Sequence, residues 1–274
     1  QEFNDAVSAF RKALKIDSYN HSAYYFLGRS LMAENNFREA IPNLTQSLLL
    51  DPDNSDTYFN LGKSYFETGK IIQAREAFNR TIRIEPQHGP AYYHLGLINE
   101  DIMEIEKAVL AYTLAREYSP EIEDVHYRLG MLLFRIGELK QAMEPLRQFI
   151  IYQPDSLQVL EAMGEIFISE NRFPEAIDTY KRLKIIYPEK LELNLNLAEA
   201  YWQLQEFSEA REVYEKILLF DDENVDVMFT MGNIYNDMGM YEGAENIFIN
   251  AIHCTHPTMQ MYYQLAMTYG NQGE

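Results

Sequence analysis

The chain has 274 residues, with 23 basic and 42 acidic side chains that give a formal net charge of −19. Such an acidic excess argues against nucleic acid as a partner, because phosphate binding requires a basic face. No apolar run approaches the roughly 20 residues of a membrane-spanning helix, and no signal-like segment is evident, so we expect no membrane insertion. The single cysteine, Cys254, cannot form an internal disulfide, which favours a cytoplasmic location.

A 34-residue repeat organises the sequence, and Ser55–His88 illustrates one unit. The first half of the unit has apolar or small residues at i, i+3, i+4 and i+7, on one face of a helix, namely Tyr58, Leu61, Gly62 and Tyr65. Gly69 follows, where a helix end favours a left-handed residue. A second apolar stripe then runs as far as Pro86, which cannot continue a helix. The unit is therefore predicted to be a pair of helices.

The same residue types recur in register along the whole chain. The small residue of the first helix returns as Gly28, Gly62, Gly96, Gly130, Gly164, Ala198, Gly232 and Ala266. An alanine of the second helix returns as Ala6, Ala40, Ala74, Ala108, Ala142, Ala176, Ala210 and Ala244. These residues are expected to let the two helices of a unit approach closely. Left-handed turn residues are predicted at Asn35, Gly69, Gly137, Asn171, Gly239 and Gly273.

This pattern resembles the tetratricopeptide repeat (TPR), whose units carry a large residue at position 4, Leu-Gly at 7 and 8, Tyr at 11, Ala at 20, Phe at 24 and Pro at 32. The resemblance covers the entire chain and departs from the pattern at position 32 in Asp222 and His256. It implies an all-α fold, a right-handed α-solenoid (superhelix) of antiparallel helix pairs. One continuous array is expected, with units 1–20 (a second helix), 21–54, 55–88, 89–122, 123–156, 157–190, 191–224, 225–258 and 259–274 (a first helix).

Both ends of the chain fall inside a repeat unit. We therefore expect the natural protein to continue beyond them. In the last helix, Tyr262, Leu265 and Tyr269 form an apolar stripe without a partner helix. Self-association through such an end is a possible interaction.

Catalytic and cofactor motifs are absent from the sequence: it has no phosphate-binding glycine loop, GxSxG, HExxH or CxxC. The cluster Glu161, Glu165, Glu192 and Glu199 is interpreted as a solvated acidic wall. His253, Cys254 and His256 lack a fourth ligand nearby in sequence, and a zinc site needs four. We therefore expect no enzyme activity, no cofactor and no metal.

The resemblance implies that first helices line a concave groove where partners bind. Helix geometry directs positions 2, 5, 9 and 12 toward that side. The candidate contacts of the first half are the aromatic residues Tyr25, Phe59, Phe66, Tyr93, Tyr127 and Phe134 and the cations Arg29, Lys63 and Arg128. Aromatic residues and arginine are enriched among residues that dominate interface energies. The alternative is that these rings only pack between neighbouring first helices.

The second half of the chain offers an acidic surface. Residues 1–122 carry a net charge of −5 and residues 123–274 a net charge of −14. The candidate contacts there are Glu161, Glu165, Glu199 and Trp202. A basic segment would complement this charge, so one long partner with unlike ends would fit the groove.

Together these features predict a scaffold that binds a peptide or protein segment in its groove. The alternative is a recruiting array of a larger enzyme or complex whose other domains lie outside this chain. A role in holding chaperone tails is not expected, because Asn60 has the required residue type but the flanking repeats do not supply the remaining clamp residues.

Overall fold

The computed structural model describes residues 2–188, 190–254 and 258–273, and within these ranges the chain forms sixteen α-helices and no strand. The chain divides into two compact units, Gln1–Glu138 (unit 1) and Leu139–Glu274 (unit 2). The boundary falls inside the predicted repeat 123–156. One continuous array remains a prediction.

Unit 1 contains the helices α1 (Glu2–Ile16), α2 (His21–Ala33), α3 (Phe37–Leu50), α4 (Ser55–Glu67), α5 (Ile71–Ile84), α6 (Gly89–Asp101), α7 (Ile105–Tyr118) and α8 (Glu123–Arg135). The pairs α2–α3, α4–α5 and α6–α7 each pack side by side, and each pair also contacts the next helix along the chain. Short connections make the helices of each pair antiparallel.

Unit 2 contains the helices α9 (Leu139–Tyr152), α10 (Leu157–Ser169), α11 (Phe173–Ile186), α12 (Leu191–Gln203), α13 (Phe207–Leu218), α14 (Val225–Asp237), α15 (Tyr241–Cys254) and α16 (Met259–Gln272). The pairs α10–α11, α12–α13 and α14–α15 pack in the same manner, and α16 packs on α15. The predicted all-α class of antiparallel helix pairs is confirmed.

Asparagine caps start several of the first helices. The side chains of Asn20 and Asn54 accept hydrogen bonds from the backbone N–H groups of Ala23 and Thr57, each at 2.9 Å. Asn224 starts α14 in the same way, 3.1 Å from the N–H of Val227. Each such cap typically contributes about 1 kcal/mol to helix stability.

The position-8 glycines allow the close approach of the two helices in a pair. A Cβ atom added to Gly96 would lie 2.4 Å from the ring of Tyr112, and one added to Gly62 would lie 2.7 Å from the ring of Phe78. Neither distance is sterically allowed without a shift. The predicted packing role of these glycines is confirmed, and their close neighbour is the large side chain at position 24.

The predicted turn residues all have positive φ: Asn35, Gly69, Gly137, Asn171, Gly239 and Gly273. Two further residues adopt the same conformation without being glycine or asparagine, Met103 (φ 61°) and Gln205 (φ 63°). They occupy the same repeat position as the other six. The repeat register therefore overrides the residue preference at these two turns.

We expect Met103→Gly to raise the stability of unit 1 by about 0.5–1 kcal/mol, because glycine adopts this conformation without steric cost. Met103 is 76% exposed, so little packing would be lost. The measurement is the urea midpoint of unfolding. The matched control is Ile102→Gly, since Ile102 has an ordinary φ of −89°. A gain in stability for the control, or none for Met103→Gly, would contradict the argument.

Candidate protein-binding surface

The first helices of unit 1 present half-buried aromatic rings at the predicted positions. Tyr25 on α2 packs against the core formed by α1–α4, and Phe59 and Phe66 on α4 pack against the core formed by α5–α7. Tyr93 on α6 is also half-buried. Each ring thus supports the core on one side and keeps accessible area on the other. The two interpretations of the sequence, packing and exposed contact, both describe part of each ring.

Two cations lie beside these rings in successive repeats. The guanidinium carbon of Arg29 lies 5.5 Å from the centre of the Tyr25 ring. The Nζ atom of Lys63 lies 5.8 Å from the centre of the Phe59 ring. Within the described ranges, neither cation forms an ion pair with a carboxylate. We call Tyr25, Arg29, Phe59, Lys63 and Phe66 the aromatic–cation surface.

A histidine that was not predicted as part of the site lies at the centre of the neighbouring aromatic cluster. His94 stacks on Phe78 with ring centres 4.9 Å apart and planes inclined by 4°. The rings of Phe59 and Phe66 lie 5.8 Å and 5.6 Å from it. Its buried Nδ1 atom has no hydrogen-bond partner among the described residues. Burial, together with the charges of Lys63 and His88, lowers the pKa of His94 to about 4.

Charged partners surround Tyr93 and Arg128. The Tyr93 hydroxyl donates to Asp124 at 2.6 Å, and Arg128 Nε donates to the same carboxylate oxygen at 2.6 Å. Arg128 also lies 3.5 Å from Glu100. Burial and the Asp124 carboxylate raise the pKa of Tyr93 to about 12. The predicted cation Arg128 is therefore balanced by carboxylates, unlike Arg29 and Lys63.

The carboxylate of Glu100 joins three elements of unit 1. It accepts a hydrogen bond from the Tyr112 hydroxyl at 2.8 Å and pairs with Arg128 and Arg135 on α8. The pairing of Arg128 with Asp124 could be predicted from the sequence, because residues four apart on a helix lie on the same face. Tyr127 and Phe134 on α8 are half-buried as well.

The first helices of unit 2 carry the predicted acidic residues. Glu161 on α10 accepts a hydrogen bond from Lys190 at 2.8 Å. Glu165 is exposed at the surface, but partial desolvation and the neighbouring Glu161 charge raise its pKa above the ordinary value. On α12, Glu199 accepts from Gln203, and Trp202 Nε1 donates to Asp237 at 3.2 Å. Glu161 is thus partly neutralised within the chain, and Glu165 is the more available charge.

Comparison with protein-family models gave matches to two models that are both described as tetratricopeptide repeat. One covers residues 31–96 and 167–224, and the other covers residues 127–190. Together they include more than half of the chain. The chain belongs to the tetratricopeptide repeat superfamily. Members of this superfamily typically act as non-enzymatic scaffolds, which supports a general role in protein interaction. A comparison with curated protein sequences gave no match.

Several solved TPR structures are similar to this chain. MamA is 26% identical with a TM-score of 0.52, over 56% of this chain and 89% of MamA. YrrB, described as a TPR protein with an unusual peptide-binding site, is 19% identical with a TM-score of 0.58, over 68% of this chain and 96% of YrrB. A TPR protein from Parabacteroides merdae is 15% identical with a TM-score of 0.51, over 91% and 98% of the two chains. The last two likenesses show the TPR fold alone.

The described part of this TPR chain contains no group of three or more His, Cys, Asp or Glu side chains placed to hold a metal ion. Of the three residues considered as ligands from the sequence, Cys254 is a free, exposed cysteine and His256 lies outside the described residues.

None of the described helices is long and apolar enough to cross a membrane. On α16, Tyr262 is exposed and Leu265 and Tyr269 are half-buried. Self-association through this helix remains a prediction.

Proposed function

We propose that the protein is an interaction scaffold, and that the aromatic–cation surface of unit 1 binds a peptide segment that carries both carboxylates and apolar side chains. The observation that supports this most directly is the repeated pair of a half-buried ring and an unpaired cation. Tyr25 and Arg29 on α2 recur one repeat later as Phe59 and Lys63 on α4. The four residues therefore offer the same chemistry twice, in register.

The charge balance of the protein makes these two cations selective. With a net charge of −19, the protein repels acidic segments over most of its surface. Arg128 and Arg135 are paired with carboxylates, which leaves Arg29 and Lys63 as the cations of the first-helix face that can meet an external carboxylate. A hydrogen bond from arginine to a carboxylate is charge-assisted and about twice as strong as a neutral one.

The rings would supply most of the binding energy. Side chains that bury a large apolar area at low entropy cost dominate interface energies, and aromatic rings are prominent among them. The Phe59 ring also packs against the rings of Phe78 and His88, at ring-centre distances of 5.9 Å and 4.6 Å. A partner would therefore meet a surface that is already in place. Binding to such a preorganised surface loses less entropy.

We propose a second contact on the first helices of unit 2, where Glu165 and Glu199 would meet a basic segment. The support is the charge of this surface and the absence of an ion pair at Glu165 among the described residues. The predicted contact Trp202 lies on the same helix as Glu199 and is half-buried. Charge reversal at Glu161, Glu165 and Glu199 should slow association with a basic peptide and reduce the salt dependence of its rate.

The test of the unit 1 proposal starts from a display library of random 12-residue peptides selected on the parent protein. We expect enriched sequences to combine Asp or Glu with Phe, Leu or Ile. The affinity of one enriched peptide is then measured by fluorescence anisotropy. In Arg29→Glu/Lys63→Glu, the dissociation constant should rise at least tenfold, because two attractive charges become repulsive.

The matched control is Arg38→Glu/Arg80→Glu, which changes the net charge by the same amount at exposed arginines of second helices. Its affinity should stay within twofold of the parent. Raising the salt from 0.1 M to 0.5 M should weaken binding to the parent and the control alike. Equal affinity of the two double variants, or enrichment of basic peptides, would refute the proposed surface.

A further inference from the structure

Unit 1 has a cavity of about 520 Å³ among α5, α6 and α7, and none of the predicted site residues lines it. Its apolar lining includes Leu95 on α6 and Leu110, Ala111 and Leu114 on α7. Arg75 on α5 and Lys107 on α7 line it as well, and Lys107 pairs with Glu104, another lining residue, at 2.7 Å. The ring of Tyr92 on α6 forms a further part of the lining. An apolar cavity with a few polar groups is the usual form of a small-ligand site.

A buried polar group faces this cavity without a partner. Asn99 is only 8% exposed and lines the cavity. Its side-chain amide forms no hydrogen bond with any described residue, although the backbone oxygen of Asn99 accepts one from Glu104. Buried amides are nearly always hydrogen-bonded, to protein, to water or to a ligand. The Asn99 amide is not among the fully buried unpaired groups, so its atoms are accessible from the cavity, and water or a ligand there can hydrogen-bond to them.

Four other repeats place a tyrosine ring at the position of Asn99: Tyr65, Tyr201, Tyr235 and Tyr269. The Tyr235 hydroxyl donates to Glu215 at 3.3 Å and the Tyr269 hydroxyl to Glu245 at 3.1 Å. The Nζ atom of Lys181 lies 5.4 Å from the centre of the Tyr201 ring. Each of these three rings thus reaches the second helix of the preceding repeat.

The 34-residue register identifies the groups that would surround a ring in the Asn99 cavity. The residues equivalent to Lys181 and Glu245 are Asn79 and Arg75, and both line the cavity. On its other side, such a ring contacts the second helix of its own repeat. A Cβ atom added to Gly243 on that helix would lie 3.1 Å from the Tyr235 ring. The equivalent of Gly243 is Lys107, a third lining residue. The repeat positions that surround these rings therefore line the cavity, with different side chains, and Asn99 supplies no ring of its own there.

We propose that this cavity binds a phenol ring supplied from outside the chain. The ring would lie against Leu95 and Leu110, and its hydroxyl oxygen would accept a hydrogen bond from Arg75 or Asn79. The Asn99 amide would lie at the ring edge. This site is independent of the aromatic–cation surface, because it is formed by other residues of α5–α7. The phenol can be a free small molecule or the tyrosine side chain of a partner segment.

The test uses p-cresol, which is the tyrosine side chain without its backbone, as the probe. Ligand-observed NMR should show saturable binding with a dissociation constant on the order of 1 mM, as expected for so small a ligand. Toluene should bind at least threefold more weakly, because it cannot accept the hydrogen bond. N-acetyl-tyrosinamide, as a second probe, distinguishes the sources. If it competes with p-cresol, a tyrosine of a partner can enter; if p-cresol alone binds, the ligand is a free phenol.

Asn99→Tyr should abolish p-cresol binding and raise the melting temperature, because the chain would then fill the cavity as it does in four other repeats. A second variant, Leu110→Glu, leaves the fold unaffected because Leu110 is 60% exposed, and it should weaken p-cresol binding at least fivefold. Its control is Leu49→Glu, at another exposed leucine, which should bind as the parent does. No saturable p-cresol binding to the parent, or undiminished binding to both cavity variants, would overturn the proposal.

Discussion

Acidification from pH 7 to pH 4 should lower the stability of unit 1 by about 3 kcal/mol more in the parent protein than in His94→Phe. The pKa of His94 falls from 6.5 to about 4 in the folded protein, first because of burial and then because of Lys63 and His88. The unfolded chain would bind a proton at this residue below about pH 6.5, and the folded chain only near pH 4. Protonation therefore favours unfolding across this window, and one pH unit corresponds to about 1.4 kcal/mol.

Phenylalanine is a suitable replacement because the ring of His94 is already stacked on Phe78 and its Nδ1 has no partner. Amide hydrogen exchange of α4–α7, read by mass spectrometry, measures the local stability that a global melting curve of a repeat protein would average. His253→Phe, at an exposed histidine of unit 2, serves as the control. Parallel pH dependences for the parent and His94→Phe would show that His94 does not carry this acid sensitivity.

The repeat period predicted most of the fold because it encodes local features. Helix pairs, turn residues and the packing glycines follow from residue types at fixed positions, and the structure has them where expected. Met103 and Gln205 show that the repeat register also determines the backbone conformation where the residue type does not favour it. Their residue types do not favour a left-handed turn, but the 34-residue register places them at one.

The charge state of the predicted site was harder to predict, because it depends on partners from neighbouring helices. Arg135 and Glu100 are 35 residues apart, and Tyr93 and Asp124 are 31 apart. Separations close to the repeat length bring first helices side by side, so the period indicates which helices meet. It does not indicate which side-chain conformations bring charges together across helices, and these decide that Arg128 also reaches Glu100 while Lys63 reaches no carboxylate among the described residues.

The position of His94 was missed for a related reason. A polar residue at position 6 of a first helix is expected to face solvent, and His94 has no charged partner that would mark it in the sequence. Its burial arises from rings on two other helices, Phe59 and Phe66 on α4 and Phe78 on α5. Such a cluster depends on the packing of successive repeats. The signal available in the sequence was that this histidine occurs in a repeat whose neighbouring positions carry aromatic residues.

Tyr112→Ala should be the most destabilising of the substitutions considered, at about 3–5 kcal/mol, because it removes a fully buried ring. The ring packs against Gly96 on one side, and its centre lies 6.3 Å from that of Tyr93. Its hydroxyl donates to Glu100 at 2.8 Å. Gly96 has no side chain that could fill the space left by the ring, so the cavity would persist.

Tyr112→Phe separates the two contributions of this residue. It keeps the ring and loses only the hydrogen bond to the Glu100 carboxylate, which should cost about 1.5–3 kcal/mol. Tyr19→Ala, at a tyrosine that is 80% exposed, should cost less than about 0.5 kcal/mol and controls for the loss of a tyrosine as such. A cost below about 1 kcal/mol for Tyr112→Ala would contradict the assigned packing.

Hydrogen exchange should also localise the effect of Tyr112→Ala. Each repeat of an array contacts only its neighbours, so the loss of one buried ring weakens the adjoining helices first. Exchange should therefore accelerate in α5–α8, where the partners Gly96, Glu100 and Arg128 lie, while α13–α15 keep their rates. Uniform acceleration across both units would mean that the protein unfolds as one cooperative body and that the repeats do not open separately.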